Sequence, residues 1–136
     1  MKTSQAGLST LEVREGVKLE AYKDTKGIWT IGVGHTGPEV VEGLVWTLGQ
    51  VREAFAKDIL WAETAVNKVS IKLSVNQFDA LVSFVFNIGA AAFAKSTMLK
   101  VLNLSNFKEA ARQFDRWNIP KEIIGRRMSE KSQFIE

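Results

Sequence analysis

The sequence predicts an α+β fold built as one domain. The chain has 136 residues, of which 46% are hydrophobic, enough for one core. Residues 17–37 are rich in β-branched and aromatic residues broken by glycines, whereas apolar residues recur at helical spacing from residue 47 onward. Since no repeat or linker divides the chain, we expect a β-rich lobe at about residues 17–37 and a helical lobe from residues 1–16 and 47–136.

The first helix is predicted to end at Glu15, because Gly16 follows as a C-terminal stop. Its start is open. Ser9 forms a capping-box pattern with Glu12, but Ser4 is a competing cap several residues earlier. In either case the Glu15 side chain leaves the end of the helix rather than its side.

Tight turns are expected in the β-rich part. Glycines at positions 27, 32, 34 and 37 interrupt a segment of Tyr, Trp, Thr, Ile and Val, a pattern typical of short strands joined by turns. Such a small sheet does not fold alone. It is therefore expected as an antiparallel insertion after the first helix.

Capping signals predict the starts of later helices. The patterns are, in chain order, Thr47 with Gln50, Ser74 with Gln77, and Ser96 or Thr97. The broad apolar face that starts at Phe78 and ends before Gly89 predicts the central buried helix. Beyond the turn at Pro120, the charged tail is expected to be solvated.

Composition excludes several kinds of function. The chain has no cysteine, so it has no disulfide, thiol nucleophile or cysteine zinc site. A net charge of +3 favours anionic partners, but the basic residues are dispersed and no recognition motif is present, which argues against nucleic-acid binding. The most apolar stretch, residues 81–94, is too short to cross a bilayer, and residues 1–8 lack the apolar run of a secretory signal. We expect no stable membrane association and no export by a signal peptide.

Glu15 and Asp24 are the candidate catalytic pair. Cleavage of a glycosidic bond needs one carboxylic acid to protonate the leaving oxygen and a second carboxylate on the other face of the sugar. Glu15 at a helix end and Asp24 in the β-rich part meet this need. Their spacing alone carries little information, because the chain has 15 acidic residues.

The residues around this pair carry a specific pattern. Glu15-Gly16, then Tyr22-Lys23-Asp24, then residues 27–35 follow the order E-G, Y-x-D and G-x-x-T-I-G-x-G-H. In this the chain resembles the phage-type lysozymes of glycoside hydrolase family 24. Residues 73–89 resemble the buried-helix signature of the small endolysins in that family, and the likeness continues through residues 90–99 to Arg126-Arg127.

The resemblance implies a fold and a mechanism. The fold would be lysozyme-like, with the small antiparallel β lobe packed beside the larger helical lobe and an active-site cleft between them. Glu15 would be the general acid, Asp24 the carboxylate that orients or activates water, and Thr30 a hydroxyl on the water's side. Such an acid should lie against apolar groups that keep it protonated, while Asp24 stays solvated and ionised. Inversion is implied, with the two carboxyl groups about 6.5 to 9.5 Å apart.

The resemblance also implies residues that bind the substrate. Thr36, Phe86 and Ser96 fall where related enzymes line the sugar cleft, and Gln113 stands where some relatives have Asn. Phe86 equally fits the core face of its helix. Arg126 or Arg127 could pair with Glu15, the alternative being a solvated tail. His35, as the single histidine, is expected to be a structural hydrogen-bonding group rather than a base.

The function implied is hydrolysis of the β-1,4 bond between N-acetylmuramic acid and N-acetylglucosamine in bacterial peptidoglycan, during phage-driven lysis. We expect a monomer without metal or organic cofactor, held in the host cytoplasm until a separate membrane lesion releases it. Two alternatives stay open. A lytic transglycosylase would not need Asp24 and Thr30, and a non-catalytic lysozyme-like module of a phage tail or injection apparatus would bind the wall without turnover.

Overall fold

A computed structural model describes the whole chain, Met1–Glu136. It contains eight α-helices, two short strands and two 3₁₀ turns, which confirms the α+β prediction. The elements are, in chain order, α1 (Gln5–Glu15), β1 (Lys18–Lys23), β2 (Trp29–Gly32), α2 (Leu48–Asp58), α3 (Leu60–Asn67), α4 (Val75–Ile88), α5 (Ala90–Ala94), α6 (Thr97–Asn103), α7 (Phe107–Gln113), 3₁₀ turns at Phe114–Arg116 and Lys121–Ile123, and α8 (Ile124–Ile135). None of the helices is both long and apolar enough to span a membrane.

The chain divides into two compact units. One comprises residues Met1–Leu8 and Trp61–Glu136, and the other comprises Ser9–Leu60. The second unit holds the later turns of α1, both strands and α2. It therefore contains the β-rich part expected at residues 17–37, while the expectation of a single domain stays a prediction.

Helix α1 starts at Gln5, so the start at Ser9 is wrong and the earlier cap at Ser4 is confirmed. The Ser4 hydroxyl accepts a hydrogen bond from the Gly7 N–H at 3.0 Å. Ser4 is itself bound through its N–H to Asp79 Oδ1 at 3.0 Å, and its hydroxyl also hydrogen-bonds that carboxylate. This long-range contact, which local sequence does not show, selects between the two possible caps.

The two strands are antiparallel, with Tyr22 opposite Thr30. On its other side, β1 contacts a later segment: Glu20 bridges to Val45, and the Trp46 N–H donates to the Leu19 carbonyl at 2.8 Å. The β-rich part thus extends to residue 46, beyond the predicted limit of residue 37. The segment was missed because its pairing depends on a distant strand.

The predicted helix starts after residue 46 are confirmed. Thr47 with Gln50 and Ser74 with Gln77 each form complete capping boxes, and the Ser96 hydroxyl caps α6. Helix α2 ends at Asp58 and α3 begins at Leu60, so the helical spacing of apolar residues after Thr47 continues across two helices.

Helix α4 is the centre of the helical core, as predicted. Its residues Phe78 to Val85 are all buried, and Gly89, with φ of +96°, ends it. The ring of Phe84 meets Phe114 at 5.2 Å between centroids and lies beneath the Arg127 guanidinium, 5.1 Å from the ring centre. Full burial of one such aromatic side chain contributes about 1.5 to 3 kcal/mol.

The solvated C-terminal tail is a wrong prediction, because the segment forms α8. Arg127, Glu130 and Phe134 are buried on its inner face. Arg127 binds Glu130, the Asn87 side chain and, at 3.0 Å, the Trp117 carbonyl. Burial of a charge is tolerated when it is paired and hydrogen-bonded. Here the carboxylate partner lies on α8 itself, and the two neutral acceptors come from other elements.

Candidate functional site

Glu15 is the last residue of α1 and is half-buried. The Gly16 N–H donates to the Glu12 carbonyl at 2.8 Å, and Gly16 then turns the chain with φ of +82°. A residue with a Cβ rarely adopts this backbone geometry, so Gly16 sets the point at which the helix ends. Helix α1 therefore ends at Glu15, as predicted.

One turn earlier, Glu12 connects α1 to α2. Its side chain is buried and accepts a hydrogen bond from Arg52 Nε at 3.3 Å. Sequence reasoning assigned Glu12 only to a helix cap, a role that the earlier helix start removes. The contact holds the last turn of α1, which carries Glu15, against α2 of the same unit.

Asp24 is held by the turn that follows β1. Its Oδ1 accepts two hydrogen bonds, from the Lys26 N–H at 2.8 Å and from the Ile28 N–H at 2.9 Å. Gly27, with φ of +79°, allows the tight geometry. The second oxygen, Oδ2, accepts no hydrogen bond within the protein. The carboxylate thus has a fixed orientation and one unoccupied oxygen.

Thr30 lies on β2 and is 4% exposed. Its hydroxyl donates to the Ile28 carbonyl at 3.0 Å. Since a hydroxyl has one proton, the remaining capacity of Thr30 Oγ1 is to accept hydrogen bonds. Ile28 therefore links the two predicted site residues: its N–H binds Asp24 and its carbonyl binds Thr30.

His35 is clamped between two carboxylates. Its Nδ1 lies 2.7 Å from Asp58 Oδ2 and its Nε2 lies 2.6 Å from Glu39 Oε1. Partial burial disfavours the charged ring, but the hydrogen bonds to Glu39 and Asp58 outweigh it and raise the pKa of His35 above 6.5. The hydrogen bond from His35 correspondingly lowers the pKa of Glu39. The structural role expected for His35 agrees with these contacts, although sequence reasoning did not identify either partner.

Two of the predicted sugar-binding residues have accessible side chains. Thr36 is exposed in the loop after His35, and Phe86 is half-buried near the end of α4. Phe86 stacks on Trp61 of α3, with ring centroids 5.8 Å apart. Sequence reasoning did not single out Trp61, because an aromatic residue on a helix is usually part of the core.

The other two are buried and already hydrogen-bonded. The Ser96 hydroxyl donates to the Phe93 carbonyl at 2.6 Å and accepts from the Leu99 N–H at 3.1 Å, which makes it the cap of α6. Gln113 is 2% exposed, and its amide donates to Glu109 at 3.0 Å, which lowers the pKa of that carboxylate. Their substrate contacts stay predictions, and the structure adds a local structural role for each.

The chain has no group of three or more His, Asp or Glu side chains placed to hold a metal ion. The three predicted catalytic residues, Glu15, Asp24 and Thr30, all lie in the Ser9–Leu60 unit. A half-buried carboxyl at a helix end, a carboxylate fixed by its own turn and a hydroxyl that can only accept are the parts needed for acid-assisted attack by water.

Comparison with known proteins gives consistent matches. The family model described as phage lysozyme matches residues 12–130. The endolysin of Salmonella phage P22 is 41% identical, covering 99% of each chain. The endolysin of Bacillus phage PZA is 39% identical over 98% of this chain, which spans 55% of that longer protein. A crystal structure of a P22 lysozyme variant superposes with a TM-score of 0.95 at 39% identity, covering 100% of this chain and 99% of the other.

Proposed function

Because the chain belongs to the phage lysozyme family and is a peptidoglycan-hydrolysing glycoside hydrolase, we propose that Glu15, Asp24 and Thr30 catalyse hydrolysis of the β-1,4 bond between N-acetylmuramic acid and N-acetylglucosamine with inversion. The observation that carries this proposal is the backbone link through Ile28, which orients Asp24 and Thr30 together.

Glu15 acts as the general acid. It donates its proton to the glycosidic oxygen as the bond from that oxygen to the anomeric carbon breaks, so the leaving sugar departs with a neutral hydroxyl. Its place supports this role, because Glu15 is the last residue of α1 and is half-buried. The tie between Glu12 and Arg52 keeps that end in place.

Asp24 and Thr30 position the attacking water. Asp24 Oδ2 and Thr30 Oγ1 can both accept hydrogen bonds, so a water between them would direct its two protons toward the protein. Its lone pair would then face the anomeric carbon. As the new carbon–oxygen bond forms, Asp24 takes one proton from the water, and the negative charge of Asp24 stabilises the positive charge that builds up on the sugar.

Inversion follows from attack on the face opposite the leaving group. A water between the electrophilic anomeric carbon and the carboxylate of Asp24 requires the two carboxyl groups to be about 6.5 to 9.5 Å apart, wider than in retaining enzymes. We propose Thr36 and Phe86 as contacts to the sugars on the basis of their accessible side chains. Ser96 and Gln113 would contribute to substrate binding mainly through the hydrogen bonds that they make within their own segments.

The proposed partner is the glycan strand, bound by a monomer. Endolysin relatives support a role in lysis of the cell wall by phage. We propose that the protein reaches the wall from the host cytoplasm through a separate membrane lesion. Cells that produce it should lyse only after a membrane-permeabilising agent is added, and lysis without the agent would contradict this route.

The decisive variant is Glu15→Gln, which keeps the shape of the side chain but cannot donate a proton as a carboxylic acid. It should abolish both clearing of exposed bacterial walls and release of reducing ends, while the circular dichroism spectrum and wall binding are retained. Glu20→Gln, an exposed Glu on β1, is the matched control and should stay active. Normal activity of Glu15→Gln would contradict the mechanism, and wall binding by wild type without new reducing ends would favour a non-catalytic module.

A further inference from the structure

Trp61 is the exception among the Trp and Phe side chains, and Tyr22, the single tyrosine, is exposed at 37%. The chain has four Trp and eight Phe residues, and Trp61 is the one that is exposed, at 44%. The others are buried or half-buried. Exposed Trp side chains are costly to leave in water and are enriched where proteins bind partners or ligands.

The exposed ring is nevertheless held in one orientation. Trp61 and Phe86 are nearly parallel, with an angle of 21° between the rings and 5.8 Å between their centroids. Phe86 lies against one face of the indole in an offset stack, and 44% of Trp61 stays exposed. Cations lie over the rings of Trp29 and Phe84, but none lies over Trp61. The structure thus presents a flat aromatic surface that is held in one orientation by Phe86.

A pyranose ring fits the chemistry of this surface. One face of the sugar consists of C–H groups, which pack on the electron-rich face of an aromatic ring, while the hydroxyls at the edge stay in water. The methyl group of an N-acetyl substituent adds apolar area. A glycan strand repeats such rings, so it extends beyond the two sugars on either side of the cleaved bond.

We propose that Trp61, supported from behind by Phe86, binds a pyranose ring of the glycan strand by stacking. This inference rests on the proposed function, because it assigns a further contact to the same polymer. A peptide stem is the competing occupant. It carries charged groups and no flat C–H face, whereas the indole offers a flat apolar face, so the sugar is favoured.

The first test measures kinetics on peptide-free glycan strands and on intact peptidoglycan. Trp61→Ala should raise KM about tenfold on both substrates, equivalent to about 1.4 kcal/mol of binding free energy, and change kcat less than about twofold. Trp61→Phe should recover most of the affinity because it keeps an aromatic face. Leu104→Ala is the control for loss of an exposed apolar side chain, since Leu104 is 78% exposed, and it should leave KM unchanged.

The second test observes the ring directly. In ¹⁵N-labelled Glu15→Gln, which cannot consume the ligand, the indole N–H signal of Trp61 is identified by its loss in the Trp61→Phe double variant. Titration with peptide-free glycan should shift that signal. An unshifted Trp61 signal, or a KM increase seen only with peptide-bearing wall, would overturn the proposal. If Glu15→Gln remained active, the proposed mechanism would fail, while the Trp61 signal with a non-cleaved analogue would still report on this contact.

Discussion

Asp24 and Thr30 are both hydrogen-bonded to the backbone of Ile28, one to its N–H and the other to its carbonyl. This arrangement orients a carboxylate and a hydroxyl with a single residue of backbone, in the same unit of the chain. Because the backbone of Ile28 fixes both side chains, a substitution can remove the charge of Asp24 or the hydroxyl of Thr30 while the geometry of the turn is kept.

Asp24→Asn should remove the charge and leave the turn intact. The amide oxygen of Asn can still accept from the Lys26 and Ile28 N–H groups that now bind Asp24 Oδ1. We expect kcat to fall about 10²- to 10⁴-fold, the usual contribution of a general base, with the free energy of unfolding changed by less than about 0.5 kcal/mol. Steady-state kinetics and urea unfolding check both parts, and a kcat near that of wild type would exclude Asp24 from the chemistry.

Thr30→Val should separate the hydroxyl from the shape of the side chain. Valine fills the same volume in this buried position but cannot bind the water. The loss of one neutral hydrogen bond, about 1 to 1.4 kcal/mol, predicts a decrease in kcat of about five- to tenfold. Thr30→Ser keeps the hydroxyl and should retain most of the rate. Equal rates for the Val and Ser variants would show that the hydroxyl takes no part.

The clamp around His35 should make stability depend on pH. The raised pKa of His35 means that the charged ring stabilises the fold below pH 6.5, and this contribution is lost as pH rises through the raised value. The lowered pKa of Glu39 works in the opposite direction, because its contribution is present above pH 4.5 and is lost as pH falls through the lowered value. Wild type should therefore exceed His35→Asn in unfolding free energy by the largest amount between about pH 4.5 and pH 6.5.

Urea unfolding of wild type and His35→Asn over a pH series measures this gain. The difference between the two proteins should narrow above pH 6.5. Glu53→Gln, which alters an exposed carboxylate on the same helix as Asp58, should show no such narrowing. If the difference in unfolding free energy stayed constant from acid to alkaline pH, the contacts of His35 with Glu39 and Asp58 would not link protonation to stability.

The buried pair of Arg127 and Glu130 should be strongly coupled. Glu130→Gln leaves the Arg127 charge without its carboxylate partner and should cost about 3 to 5 kcal/mol of unfolding free energy. Replacing both Arg127 and Glu130 with Met should cost less than the sum of the two single changes, because it removes the buried Arg127 charge together with its carboxylate partner. Arg126, which also binds Glu130, keeps its hydrogen bond to the Ser83 carbonyl. Glu122→Gln, at an exposed position before α8, is the control. Additive losses in a double-mutant cycle would contradict the coupling.

How far the sequence predicts this structure depends on the distance between interacting residues. The capping boxes at Thr47 and Ser74 and the helix end at Glu15 were predictable, since each depends on residues within four positions. The α8 helix was not, because the burial of Arg127 depends on Asn87 and Trp117 from elsewhere in the chain. The sequence of a charged segment does not show whether its side chains will bind other protein groups or water.

The candidate site shows the same division. The motif around Glu15, Asp24 and Thr30 pointed to the residues, but the Ile28 link and the Glu12–Arg52 contact required coordinates. Gly27 was the one local feature that indicated a tight turn after Asp24. Nothing in the sequence near Trp61 indicated that this ring would be exposed and stacked on Phe86.

The central claim, that Asp24 and Thr30 direct a water to the face opposite the leaving group, is tested most directly by the anomer first released from the substrate. Proton NMR of a short digest of peptide-free glycan, recorded before mutarotation, should show the α-anomer at the new reducing end. Release of the β-anomer would indicate retention, and a 1,6-anhydro end would indicate that no water attacks. Either product would contradict inversion by a water that Asp24 and Thr30 position.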